Sequence, residues 1–360
     1  MKTNFIIMMA ALAVAMTSCN KFINEQLQPE SGGTGTIFID ICRTAPDSDT
    51  KAVTTYTDVK DYEGNVNNVQ VFVFDKTTGL VHYYKDLGTG TSCSVSIPTG
   101  QKIVWAVVNG PVLKSIKTVT ELQDYALDLT ANSTDESKGF VMSGYKELNL
   151  GTGNQTISIA VSRLVSRVAL VGIKNSIPPA YGALVIQKVF LANVVANQNI
   201  AGTASATKWY NQEGRADEAT RNATHIIDGT TYKASAESLT YKNAGASSIA
   251  NGSGMGSLSA SPYLFYTFPN SSTTTGNGFN STMAAQRSVL VIAATINGTL
   301  NYYPIVLDNA VLERNKTYTV GVEITGFGST DPNKPVEKGS MDISISVSGW
   351  LSGASYEEVI

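Results

Sequence analysis

Short apolar runs, each stopped within a few residues by Gly, Asn, Asp or Pro, recur along this chain and admit little besides β-strands. Ile37, Ile39 and Ile41 alternate with Phe38, Asp40 and Cys42, which puts one apolar row on a single strand face. Val69 to Phe74 is apolar at five of six positions and is followed by Asp75-Lys76-Thr77-Thr78-Gly79, the pattern of a strand buried on both faces and closed by a turn. Val81 to Tyr84 is its expected hairpin partner. Val95 and Ile97 alternate before Pro98-Thr99-Gly100, and Ile103 to Val108 ends at Asn109-Gly110-Pro111. Ile157, Ile159 and Val161 alternate again, and the run Arg163 to Ile173 carries Arg163 and Arg167 inside an apolar strand pattern.

Later core strands are expected at Leu184 to Leu191, Val289 to Ile296, Tyr302 to Leu307, Tyr318 to Ile324 and Ile343 to Val347, with Trp350 just beyond the last. Asn193 to Ser261 and Asn270 to Gln286 are rich in Ser, Thr, Asn, Gly and Ala and read as long loops. One short helix is predicted where Thr118 with Glu121, or Thr120 with Gln123, has capping-box spacing and Leu122, Tyr125, Ala126 and Leu129 recur at helical intervals. No self-similar period suggests a solenoid. The length of 360 residues suits two domains, each with its own core. Their boundary is expected near residue 163, giving segments 52–162 and 163–360.

The N-terminus reads as an address. Lys2 precedes an apolar stretch, Phe5 to Met16, too short to cross a bilayer as a mature helix, and Thr17-Ser18-Cys19 follows. Ala15 to Cys19 resembles a bacterial lipobox, which implies a signal peptide over residues 1–19, a lipid on Cys19, and a membrane attachment made by that lipid alone. Residues 20–51 then comprise a flexible leash and the first strand. Arg43 to Tyr62 is polar and expected to be exposed.

Composition removes several functions. A net charge of -3 supplies no basic surface for nucleic acid. With Cys19 assigned to lipid, Cys42 and Cys93 either bridge or stand as two small buried thiols, and no spacing of Cys or of the two histidines, His82 and His225, forms a metal site. No nucleophile elbow, phosphate loop or dinucleotide fingerprint is present. The chain is therefore read as a non-enzyme without cofactor or metal.

Leu312-Glu313-Arg314-Asn315-Lys316-Thr317-Tyr318, Ile324-Thr325-Gly326, Asp331-Pro332 and the closing stretch Ile343 to Trp350 resemble the C-terminal part of the Bacteroidales major fimbrial subunits, the fimbrillins of type V pili. The lipobox, the early strand, Val69 to Phe74, Phe140-Val141-Met142-Ser143 and Arg163 to Val168 fall in the same order as in that family. The resemblance implies an all-β chain of two β-sandwich-like, transthyretin-like domains with a few short helices. It further implies an exported lipoprotein, cut by a trypsin-like protease and polymerised head to tail with identical or related subunits by strand exchange, in a surface fimbrium supporting adhesion to a partner the sequence does not name.

On that footing the cut falls at Lys51-Ala52, or alternatively at Arg43-Thr44. The removable strand carries Ile37, Ile39 and Ile41. The donor region carries Ile343, Ile345, Val347, Val359 and Ile360, with Ile343 to Val347 expected as core and the tail 351–360 as the exchanged part. A second reading is a surface lipoprotein that binds glycans on aromatic faces, with Trp209, Tyr210, Tyr263, Phe265 and Tyr266 as candidates.

Overall fold

The computed structural model describes residues 32–43, 60–211, 238–272, 287–307, 312–330, 332, 336 and 339–350. Its strands are β1 (Thr34–Arg43), β2 (Val69–Asp75), β3 (Val81–Asp86), β4 (Ser92–Pro98), β5 (Gly100–Val108), β6 (Ala126–Asp128), β7 (Met142–Leu150), β8 (Gly153–Arg163) and β9 (Ser166–Asn175). They continue as β10 (Leu184–Ala192), β11 (Val194–Val195), β12 (Asn197–Asn199), β13 (Trp209–Tyr210), β14 (Tyr241–Ile249), β15 (Tyr263–Thr267), β16 (Val289–Ile296), β17 (Thr299–Val306), β18 (Lys316–Ile324) and β19 (Met341–Gly349). The fold is all-β, with helices of one turn or little more. Among the described residues no helix is long and apolar enough to cross a membrane.

Apart from β6, the strands up to residue 163 form one sheet in the order β3-β2-β5-β7-β8-β1-β4. It bends sharply between β7 and β8, which pair only at Met142 with Arg163 and Ser143 with Ser162. Gly144 makes the corner feasible, because a Cβ there would run into the Ala160 carbonyl. The two arms, β3-β2-β5-β7 and β8-β1-β4, thus face each other. Alternate residues fill the space between them: Ile37 and Ile39 of β1, Val69, Val71 and Val73 of β2, Val104 and Ala106 of β5, and Ile157, Ile159 and Val161 of β8. The opposite face of β2 and β5 is also covered, because Phe72, Phe74, Trp105 and Val107 join a second, larger core. This double burial is the reason β2 and β5 read as continuous apolar runs rather than alternating ones.

The larger core lies between sheets β14-β10-β16-β17 and β15-β9-β18-β19. A bulge between Ile186 and Lys188 turns β10 so that Ile186 and Val189 both face inward. The strand orders of the two parts of the chain correspond. β3-β2-β5-β7 matches β14-β10-β16-β17, and β4-β1-β8 matches β15-β9-β18, including the parallel pairing of β1 with β8 and of β9 with β18. Among the described residues, β19 has no counterpart in the first set and forms an edge.

Two sequence expectations are corrected. Residues 193–261 are not one long loop: β11, β12, β13 and β14 lie within them, and β12 pairs β6 while β14 edges the β10 sheet. Small and polar residues there form strands because neighbouring strands supply the pairing that their own side chains do not demand. The helix Val119–Gln123 forms with the Thr118 and Glu121 box, but the pattern does not continue: 126–128 is strand β6 and 129–131 a 3-10 turn. Residues 212–237 and 273–286 lie outside the described ones.

Candidate functional site

β1 is a central strand, not an edge. Its backbone runs antiparallel to β4, with Ile37 opposite Val95 and Ile39 opposite Cys93, and parallel to β8, with Ile39 beside Ile157 and Ile41 beside Ile159. Ile37 and Ile39 are fully buried and Ile41 partly so. The covalent link from β1 to β2 runs through the segment after residue 43, so a single break in that segment frees β1 at that side. Loss of β1 would leave β4 and β8 with unpaired backbone groups on facing edges and an apolar slot between them.

Lys51, Ala52 and Thr44 lie outside the described residues, as do Cys19, residues 1–31, the tail 351–360 and its Val359 and Ile360. Arg43 is described. It closes β1 beside Val161, and its guanidinium donates to the Gly64 carbonyl. A trypsin-like protease requires the basic side chain free to enter a pocket, and Arg43 is already engaged. Cys42 and Cys93 are free thiols, neither of them fully buried; the Cys42 Sγ donates weakly to the Ile159 carbonyl at 3.7 Å.

β19 pairs β18 along its length, Ile343 opposite Val322 and Val347 opposite Tyr318. The expectation that Ile343 to Val347 is core holds only for Ile345. Ile345 packs against the core, but Ile343 and Val347 are 43% and 44% exposed, since no strand covers the outer edge of β19 among the described residues. On the other face, Ser346 Oγ, Ser348 Oγ and the Trp350 Nε1 are buried with no hydrogen-bond partner among the described residues. Both faces of this strand are thus poorly satisfied.

Where β19 ends, a buried charged cluster joins distant parts of the chain. The one-turn helix Asp61–Gly64 presents Glu63, whose Oε2 accepts from Arg167 at 2.7 Å and from the Lys60 amide at 2.9 Å, and whose Oε1 accepts from the Tyr266 hydroxyl at 2.7 Å. Burial, with the Glu63 carboxylate beside it, pushes the Tyr266 phenol well above its ordinary range, which keeps it a donor. Arg163 donates through Nε and Nη2 to the Glu63 carbonyl at 3.1 and 2.7 Å. Burial lowers Arg163 to about 10, with Glu63 opposing the shift and Arg43 and Arg167 adding to it.

The Trp350 ring sits against both arginines, 4.4 Å from the Arg163 guanidinium carbon and 5.0 Å from that of Arg167. It also stacks on Tyr266 and meets Phe140 edge-on. The sequence flagged Arg163 and Arg167 as basic residues inside an apolar strand, but it did not find Glu63. Two buried arginines require an acid; which of the chain's acids supplies it depends on folding a segment a hundred residues away.

Leu312 to Tyr318 lies at the same junction. Asn315 takes a left-handed turn at φ 56° and accepts from the Trp350 amide at 3.0 Å, while Arg314 reaches back to the Ser143 and Ala201 carbonyls and to Ser162. Gly202, at φ +73°, leaves the room that this side chain needs.

The aromatic residues considered for sugar stacking do not present faces to solvent. Trp209, Tyr210, Phe265 and Tyr266 are buried and Tyr263 is part-buried against the core. β13 and β15 place them inward, and the Tyr210 hydroxyl is spent on Asp128. Among the described residues no group of acids, cysteines and histidines is placed to hold a metal.

Residues 39–158, a third of the chain, match the family model for the major fimbrial subunit protein (FimA). The match runs from within β1 to within β8, strands that lie side by side. No curated protein matches the chain. Among solved structures, a candidate cell adhesion protein from Bacteroides eggerthii is 20% identical, covers 90% of this chain and 98% of its own, and superposes with a TM-score of 0.61. A fimbrilin from Porphyromonas gingivalis is 13% identical over 89% of this chain and 99% of its own, with a TM-score of 0.60. A candidate cell adhesion protein from Parabacteroides distasonis is 17% identical over 88% and 98%, with a TM-score of 0.58. The resemblance to the major fimbrial subunits and the all-β fold are thereby borne out.

Proposed function

We propose that this chain, similar to the major fimbrial subunits over β1 to β8, is a structural shaft subunit of a cell-surface fimbrium, assembled by strand exchange and supporting adhesion. The observation that carries the reading is a match between a slot and a strand. β1 fills the middle of a sheet with Ile37, Ile39 and Ile41, and β19, which has no counterpart in the first strand set, carries Ile343, Ile345 and Val347 at the same spacing. A strand that alternates in this way and is only half covered at home fits a sheet lacking its middle strand in a neighbouring copy. Each buried aliphatic side chain contributes about 1.5 to 3 kcal/mol, and the backbone ladder on both sides adds to it. Because the slot and the donor are different surfaces, each copy donates to one neighbour and accepts from another, and the chain of contacts does not close.

In this reading Cys19 is the lipid-bearing residue of an outer-membrane precursor, and a trypsin-like protease cuts at Lys51-Ala52. The engagement of Arg43 supports that choice over Arg43-Thr44. The donor is β19 together with the tail 351–360. The two corresponding strand sets support a division into domains 52–162 and 163–360. A structural role needs neither catalysis nor a cofactor.

The test is limited trypsin digestion of the full chain, sequencing of the new N-terminus and electron microscopy of the product. A start at Ala52 accompanied by filaments is expected, and Lys51→Ala should block both. A filament that still forms after deletion of residues 341–360 would overturn the donor assignment. A stable monomer cut elsewhere would overturn the reading as a whole.

A further inference from the structure

We propose that Glu63 and the two arginines it holds are a latch on β19, closed while β1 is in place and weakened when β1 is removed. The inference rests on the processing reading above and adds a control on it. Glu63 is the hub. It orders Arg167 through its carboxylate and Arg163 through its carbonyl, and these two guanidinium groups flank the ring of Trp350, the residue that follows β19. Arg167 is further fixed by donating from Nε to Thr317 Oγ1 at 3.1 Å, and Thr317 lies opposite Ser348 of β19.

The rest of β19 is held mainly by its backbone pairing with β18 and by Ile345. Ile343 and Val347 are only about half covered, and the buried hydroxyls of Ser346 and Ser348 lack partners among the described residues. Trp350, just beyond the strand, is thus its side-chain anchor, wedged among Arg163, Arg167, Tyr266 and Phe140.

The link to β1 is equally local. Arg43, its last residue, donates to the carbonyl of Gly64, the residue next to Glu63, so β1 braces the helix that carries the hub. Residues 44–59 also tie that helix to β1 through the chain. A cut at Lys51-Ala52 followed by departure of β1 removes the brace and the tie together. Asp61–Gly64 is then left near a free end, where a single helical turn has little stability of its own. Opening the acceptor slot and releasing the donor strand would in this way be one event, which keeps uncut subunits from exchanging strands early.

The test is hydrogen exchange on the intact, uncut chain. Glu63→Gln should raise exchange of the β19 amides at least tenfold while those of β5 stay as in the wild type, and Trp350→Leu should do the same with Glu63 intact. Wild-type protection of β19 in both variants overturns the latch. So does a loss of protection that reaches β5 equally in both, which marks the cluster as a support for the whole fold.

Trypsin-cut wild-type protein, verified by mass and kept dilute, should show the same selective rise in β19; unchanged protection after loss of β1 overturns the coupling. Electron microscopy of the same sample after it has been concentrated separates the two ideas. Loosened β19 without filaments sinks strand exchange and leaves the latch standing, whereas filaments with β19 protection unchanged in the variants sink the latch alone.

Discussion

Asp75 shows how a single residue closes a strand. It ends β2, its Oδ1 accepts from the Thr77 and Thr78 amides, and its Oδ2 accepts from Lys102 at 2.8 Å, a lysine with no solvent exposure. Burial by itself would raise its pKa, but the Lys102 and Thr78 bonds prevail and bring it from the ordinary 3.8 to about 2. A carboxyl depressed in the folded state stabilises the fold above its unfolded pKa and loses that contribution as pH falls through the folded one. The window is therefore pH 4 to 2, and the contribution is about 2 kcal/mol.

Urea titrations at pH 6, 4 and 2 should show this loss in the wild type and a shallower one in Asp75→Asn. Lys102→Met should cost about 3 kcal/mol at pH 7, because it strands a carboxylate in the interior; an unchanged denaturation midpoint would contradict the pairing. The turn after β2 was legible from Asp75 to Gly79. The lysine was not, since nothing in Gly100 to Val108 distinguishes Lys102 as buried until β5 is set beside β2.

At the scale of elements, the strands most plainly written in the sequence are those whose environment is uniform. β2 and β5 are covered on both faces and read as apolar runs; β1 and β8 bury one row and read as alternation. Ile39→Ala should therefore destabilise the uncut chain by about 3 kcal/mol through lost burial and a cavity, measured by chemical denaturation. A loss below about 1 kcal/mol would mean that β1 contributes little to the arm it completes.

The helix Val119–Gln123 was equally legible, because its start signal is local. Thr118 Oγ1 accepts from the Glu121 amide at 3.1 Å, and Glu121 accepts in return from the Thr118 amide. Thr118→Ala should lower stability by about 1 kcal/mol, seen as a small drop in Tm. β14 and the short strands from β11 to β13 were missed. Their side chains carry no period, and their existence depends on partners far along the chain: Tyr241 beside Phe190, Asn197 beside Asp128.

The whole molecule is tied across its two strand sets. The larger core takes in Phe72, Phe74 and Trp105 from one set and the facing sheets of the other, and β6 pairs β12 across the junction. Arg314 spans the same junction with bonds to Ser143, Ser162 and Ala201, and burial lowers its pKa. Arg314→Met should cost about 2 kcal/mol, the scale of hydrogen bonds made by a charged donor. Calorimetry of the uncut protein should show one cooperative transition; two resolved transitions would mean that the shared core does not couple the parts.

The sequence by itself determined that the chain is built from strands, where most of them lie, that Ile37, Ile39 and Ile41 share a face, and that two arginines stand in an apolar run. These features depend on residues close together in the chain, where period and turn chemistry act. Only the tertiary structure decided that β1 lies in the middle of a sheet, that β19 is, among the described residues, a half-covered edge with no counterpart, and that Glu63 meets Arg163, Arg167 and Trp350. Those facts concern which distant segments become neighbours, and pairing partners and buried charges are chosen by the packed whole rather than by any local run of residues.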